Sequence, residues 1–109
     1  MTEKQLVGLL TTEFEFSRIA PRPDGWDKCL YGKCPELPYR LHYRMGADEL
    51  FLMLGTLHPG DPNSYCYAST TIAASQVSVV PIAQFLRRAG YPPAVAYHQR
   101  TMLRLLLSA

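Results

Sequence analysis

Acidic residues are missing from almost half of this chain. All nine Asp and Glu residues lie at or before Asp61, and the 48 residues from Pro62 to Ala109 hold none. A stretch of that length at ordinary composition carries roughly six carboxylates, since about a quarter of residues are charged and half of those are acidic. The same stretch keeps Arg87, Arg88, Arg100 and Arg104, whereas residues 1–61 hold seven bases against the nine acids. The second half therefore has no carboxylate of its own to pair with its cations. That favours an arginine-bearing surface turned toward an acidic or anionic partner. The net charge of +2 is too small to indicate nucleic acid by itself.

Other shortages narrow the field further. Charged residues make up only 18% of the chain and hydrophobic ones 48%. A domain of this size has much surface to cover, so this leanness in charge predicts apolar surface reserved for another subunit or a partner. No stretch approaches 18 apolar residues, so a membrane-spanning helix is not expected. The opening Met1-Thr2-Glu3-Lys4-Gln5 lacks the basic flank and apolar run of a signal peptide. Cysteine is sparse and odd in number (Cys29, Cys34 and Cys66), which reads as reduced thiols in a cytoplasmic setting.

Catalytic and metal signatures are equally thin. Cys29 and Cys34, with Cys66, His42 and His58, amount to a single cysteine pair, where a zinc site normally has two tight ones. No metal is expected, and Cys66 is expected to be a small buried thiol rather than a nucleophile served by His58 or His98. The acid pairs Glu13/Glu15 and Asp48/Glu49 are placed where solvation or helix capping accounts for them. The seven glycines form no phosphate-binding loop. No enzyme activity and no cofactor are expected.

What is present describes one α+β domain spanning 1–109. Thr2 and Gln5 form a capping box ahead of Leu6, Leu9 and Leu10, which predicts a helix over 3–12. Phe14 and Phe16 alternate with Glu13 and Glu15, a strand pattern over 12–20. Residues 21–38 carry Pro21, Pro23, Pro35 and Pro38 and read as irregular. Tyr39, Leu41, Tyr43 and Met45 alternate with Arg40, His42 and Arg44, the mark of a half-buried strand with a cationic, solvated or partner-facing side. Gly46 to Glu49 turns the chain into the apolar run Leu50 to Leu54, giving a hairpin centred on 39–57. The competing helix, capped by Asp48 with Leu50, Met53, Leu54 and Leu57 on one stripe, is the less favoured reading. His58 to Ser64 reads as loop, and Tyr65 to Val80 fits either a strand followed by a helix or two strands.

Two helices are expected to close the chain and pack on the sheet. Pro81 suits a first turn, Ile82, Phe85, Leu86 and Ala89 form a stripe, and Gly90 is the stop, with Arg87 and Arg88 complementing the helix dipole. A final helix runs from Ala94 to Ser108. Val95, Met102, Leu103 and Leu106 share one of its faces, and Tyr97, Thr101, Arg104 and Ser108 share another. Leu105 and Leu107 widen the apolar surface beyond one stripe, which predicts cover from more than one side.

The stretch Arg88-Ala89-Gly90 followed by Ala94-Val95-Ala96-Tyr97-His98 resembles the helix-turn-helix of TetR-type repressors. That resemblance implies a DNA-binding regulator built on residues 82–108, with Tyr97, His98, Arg100, Thr101 and Arg104 at the groove or phosphates. Ile82 to Tyr91 also resembles a helix of corrinoid-dependent reductases of the reductive dehalogenase and epoxyqueuosine reductase type. This implies a truncated cofactor-binding domain. The leading expectation rests on the residues themselves. It is a small non-enzymatic binding or regulatory protein, an inhibitor or a subunit of a larger assembly. Its arginine-bearing, partly apolar C-terminal surface meets an acidic protein or its own subunits, without a membrane. The residues expected to carry the contact are Arg87, Arg88, Tyr91, Tyr97, Arg100 and Arg104.

Overall fold

Helix α1 spans Glu3–Phe14. The computed structural model describes residues 1–18, 28–32, 39–58 and 61–108, and for Arg18, 28–32, 57–58 and 61–65 the backbone alone. The helix opens on the capping box: the Thr2 hydroxyl accepts from the Gln5 amide, and the Gln5 side chain accepts from the Thr2 amide at 2.8 Å. The helix runs two residues beyond the expected end, taking in Phe14. Leu6, Leu10 and Phe14 recur every four residues and all three are fully buried, so helical spacing wins over alternation at Phe14. The hydroxyls of Thr11 and Thr12 donate to carbonyls one turn back, which reconciles these β-branched residues with the helix. Glu15 adopts a left-handed conformation at φ 59° and its amide donates to the Leu10 carbonyl, ending the helix. Within the described residues the strand expected over 12–20 is β1, Phe16–Arg18.

The sheet is a five-stranded antiparallel meander in the order β1-β2-β3-β4-β5. Strand β2 covers Lys28–Gly32, β3 Tyr39–Met45, β4 Glu49–His58 and β5 Asp61–Ala73. Strand β2 corrects the expectation that all of 21–38 is irregular, because the backbone of Lys28–Gly32 pairs fully with β3. The expectations for 21–27 and 33–38 fall outside the described residues. The hairpin of β3 and β4 stands as read, closed by the Gly46 amide donating to the Glu49 carbonyl at 2.8 Å. Among the described residues, the loop expected over 58–64 is instead strand at His58 and from Asp61 to Ser64, with His58 paired to Asp61.

Alternation divides the sheet into two faces. Tyr39, Leu41 and Tyr43 stand opposite Thr56, Leu54 and Leu52, and Leu50 and Ile72 continue the same face, which is the core face. Arg40, His42 and Arg44 lie on the reverse with Met53 and Phe51. His42 is buried at 2% exposure, so that side is less open than the sequence pattern implies. Arg44 remains exposed, with its guanidinium 5.8 Å from the Phe51 ring centroid.

After β5 a single 3-10 turn leads into α2, Val79–Arg88, and α3 follows at Pro92–Ser108. Of the alternatives open for 65–80, strand followed by helix is the observed one. Ile82 and Leu86 are fully buried beneath α2, with Phe85 and Ala89 beside them. Gly90 turns the chain at φ 80°, a left-handed conformation that a glycine adopts without strain. The Tyr91 amide returns to the Leu86 carbonyl at 3.0 Å, and Pro92 and Pro93 begin the last helix where missing amides cost nothing.

The core lies between the sheet and the three helices. Tyr91 joins them: it is fully buried, stacks on Phe16 at 4.5 Å between ring centroids and meets Tyr39 edge-on at 5.1 Å. Its hydroxyl donates to the Phe14 carbonyl, tying the start of α3 to the end of α1. The Phe14 ring also meets Tyr97 of α3 at 5.2 Å.

Candidate interaction surface

The geometry of α3 is the unexpected feature. Its inner side consists of Pro93 and Ala94, which are buried, and of Tyr97 and Thr101, which are half-buried. Its most apolar face points the other way. Val95 is 36% exposed, Met102 45%, Leu103 56% and Leu106 71%, and Leu105 and Leu107 on the flanks reach 60% and 78%. The last seven residues, Met102–Ser108, are all exposed and form an overhang of about 10 Å at 1.5 Å per residue. The expected cover from more than one side is therefore not supplied by the chain's own body.

Beside this face runs a cleft of about 150 Å³ between α2 and α3. Val80, Ala83, Gln84 and Arg87 line it from α2, and Tyr97, His98 and Thr101 from α3. The cleft exists because α3 rests on the small Ala94 and on the Tyr97 ring, while α2 turns its large residues Ile82 and Leu86 toward the sheet. The Arg100 guanidinium lies 6.0 Å from the Tyr97 ring centroid, a cation–π distance. Tyr97 thus has Phe14 beneath it, Arg87 along the cleft and Arg100 over its ring. Arg104 is exposed on the overhang, one turn beyond Arg100.

A second, larger cavity of about 440 Å³ lies on the other side of α2, against the outer strand β5. Ala68, Ser69 and Thr70 border it from the strand, and Pro81, Phe85 and Arg88 from the helix. Among the described residues β5 has β4 as its one strand neighbour.

The sequence-derived residues consequently divide. Arg87 and Tyr97 line one cleft, Arg100 lies by the Tyr97 ring, and Arg104 follows one turn on along the same helix. Arg88 is exposed but lines the β5 cavity, so the four arginines do not form one continuous patch. Tyr91 requires a correction as a contact anchor. It is fully buried and hydrogen-bonded within the core, so its ring is spent on packing. His98 and Thr101 line the α2–α3 cleft and are half-buried there.

Cys66 also departs from expectation. It is exposed, because it lies on the outer strand, opposite Thr56. The metal-ligand reading of Cys29, Cys34 and His58 falls outside the described side chains. Among the described residues no group of three His, Cys, Asp or Glu side chains gathers. No described helix is long and apolar enough to cross a membrane.

Sequence reasoning missed Val80, 58% exposed at the mouth of the cleft, and left open which face of α3 turns inward. The Leu103–Leu107 run was the available signal for the latter, since no single helical stripe can bury four leucines in five positions. Comparison with protein-family models, with curated proteins and with solved structures gives no match for this chain.

Proposed function

We propose that this chain is a small non-enzymatic binding protein, acting as a regulator, an inhibitor or a subunit of a larger assembly in the cytoplasm. It works by covering part of an acidic protein with the α2–α3 surface. The observation that supports this most directly is Tyr97, which lines a cleft with Arg87 and has the Arg100 guanidinium 6.0 Å from its ring centroid, on a segment without a single carboxylate. Arginine suits the task because its planar guanidinium grips a carboxylate with two parallel hydrogen bonds and is only weakly hydrated. Tyr97, half-buried and braced by Phe14, offers a pre-ordered aromatic surface that loses little freedom on contact.

The helix-turn-helix reading ranks second. Helices α2 and α3 and the Gly90 turn have its outline. A DNA-reading helix, however, presents cations and hydrogen-bonding groups outward, and the outward face of α3 carries Val95, Met102, Leu103 and Leu106. The cofactor-domain reading ranks third, carried by the 82–91 segment alone.

The test is affinity capture from the native source with the wild-type protein and with Arg87→Glu/Arg100→Glu/Arg104→Glu, followed by mass spectrometry. A captured protein with an acidic surface, released by salt and lost with the triple variant, is the expected result. Identical capture by both proteins overturns the proposal. Recovery of nucleic acid, with steep salt dependence on duplex DNA, would promote the helix-turn-helix reading instead.

A further inference from the structure

We infer that the outward face of α3 is a self-association surface, and that two copies of this chain pair α3 against α3 in antiparallel fashion. This goes beyond the acidic-partner reading and does not depend on it, because it uses the opposite side of the helix.

Spacing is the first argument. Val95, Gln99, Met102 and Leu106 follow one another at steps of four, three and four, the seam along which one helix packs on another, with Leu103 widening it. Sustained spacing of this kind on an exposed face fits a helical partner better than a strand or an irregular loop.

Charge is the second. Arg100 and Arg104 are set on the helix about 120° or more from the centre of that seam at 100° per residue, and the seam and its immediate neighbours Ala96, His98, Leu103 and Leu105 carry no Asp, Glu, Lys or Arg. Two such faces meet without like-charge repulsion. An acidic partner, by contrast, would find no cation there to answer its carboxylates. The side of α3 that bears charge and the side that bears leucine thus suit different occupants.

Area is the third. The exposed fractions of Val95, Met102, Leu103, Leu105 and Leu106 amount to on the order of 500 Å² of mostly apolar surface per copy, against roughly 800 Å² per partner in a standard interface. The polar residues between them supply much of the remainder. A monomer leaves this patch in water, well above what single scattered apolar residues expose.

The direction of pairing follows from the overhang. In a parallel pair the two Met102–Ser108 segments would cover only each other, leaving the flanks of Leu105 and Leu107 in solvent. In an antiparallel pair each overhang lies along the Val95–Gln99 half of its mate and reaches the mate's body, so that its flanks are covered as well. Leucine on three sides of the overhang then has a reason.

Sedimentation velocity across a concentration series tests this directly. The wild-type chain is expected to be a dimer at about 100 μM, and Leu106→Glu, or Leu103→Glu/Leu106→Glu, to weaken association by more than about 30-fold. These side chains are exposed, so the far-UV circular dichroism of the variants should match the wild type. Mixed Val95→Cys and Leu106→Cys proteins in a Cys29→Ser/Cys34→Ser/Cys66→Ser background should form an intermolecular disulfide when a mild oxidant such as oxidised glutathione takes up the two electrons. The triple arginine variant should remain dimeric, which separates this test from that of the acidic-partner reading. A wild-type monomer at that concentration overturns the inference, as does a dimer indifferent to both leucine substitutions. A monomer that instead sediments with anionic vesicles through the same leucines would assign the face to a lipid surface and also overturn it.

Discussion

Removing the Tyr91 side chain should cost this protein a large share of its stability, and removing only its hydroxyl should weaken it by a measurable step. The ring is fully buried between Phe16, at 4.5 Å, and Tyr39, at 5.1 Å. Truncating a buried aromatic to alanine costs about 3–5 kcal/mol, from lost transfer free energy and from the cavity left behind. Domains of this size hold about 5–15 kcal/mol in total, so Tyr91→Ala is expected to consume a large share. Tyr91→Phe keeps the stacking and deletes the bond to the Phe14 carbonyl. That change should cost about 1–2 kcal/mol, or roughly 4–8 °C in Tm per kcal/mol. Urea unfolding followed by far-UV circular dichroism measures both, with an unchanged slope showing that the change lies in stability alone. A Tyr91→Ala protein within 1 kcal/mol of wild type would refute the placement of this ring. It would also restore Tyr91 as a surface contact.

Two further outcomes are expected. Gly90→Ala should lower stability by about 1 kcal/mol through backbone strain alone, since φ is 80° and nothing lies within 4 Å of the added methyl; thermal unfolding reads the shift. Cys66 should react with iodoacetamide in the native protein, and peptide mapping that finds it protected until denaturant is added would contradict its exposed position.

Much of the fold was legible because local chemistry and tertiary need agreed. The Thr2/Gln5 capping box, the alternation from Tyr39 to Met45 and the Gly90 stop each carry one physical signal, and each marks an element of the type read there, though α1 runs on to Phe14. The misreadings arose where two periods overlap. Phe14 and Phe16 satisfy a strand's alternation, while Leu6, Leu10 and Phe14 satisfy a helix, and the deep core position of Phe14 decides for the latter. Strand β5 was blurred because Ala, Ser and Thr, which dominate Ala68–Ala74, mark neither face clearly. For the surface, the lack of acids and the excess of leucine near the end were visible at once. Their arrangement was not. Which arginine lines a cleft with Tyr97, and that Tyr91 is withdrawn into the core, depend on how α1 meets α3 across more than 70 residues of chain, and no window of sequence contains that.

The bond between Tyr91 and Phe14 also bears on how the molecule comes off the ribosome. The meander can zip up strand by strand as it emerges, because each strand pairs with its neighbour in the chain. Helix α1 is made before the sheet, yet Phe14 finds its ring neighbour Tyr97 and its tether Tyr91 only after β1 to β5 and α2 have followed it. Until then the stripe of Leu6, Leu10 and Phe14 is incompletely covered, an apolar ribbon open to chaperones or to neighbouring nascent chains. The last helix therefore acts as the clasp, and a transcript cut short before it should yield a chain that aggregates rather than a smaller folded domain.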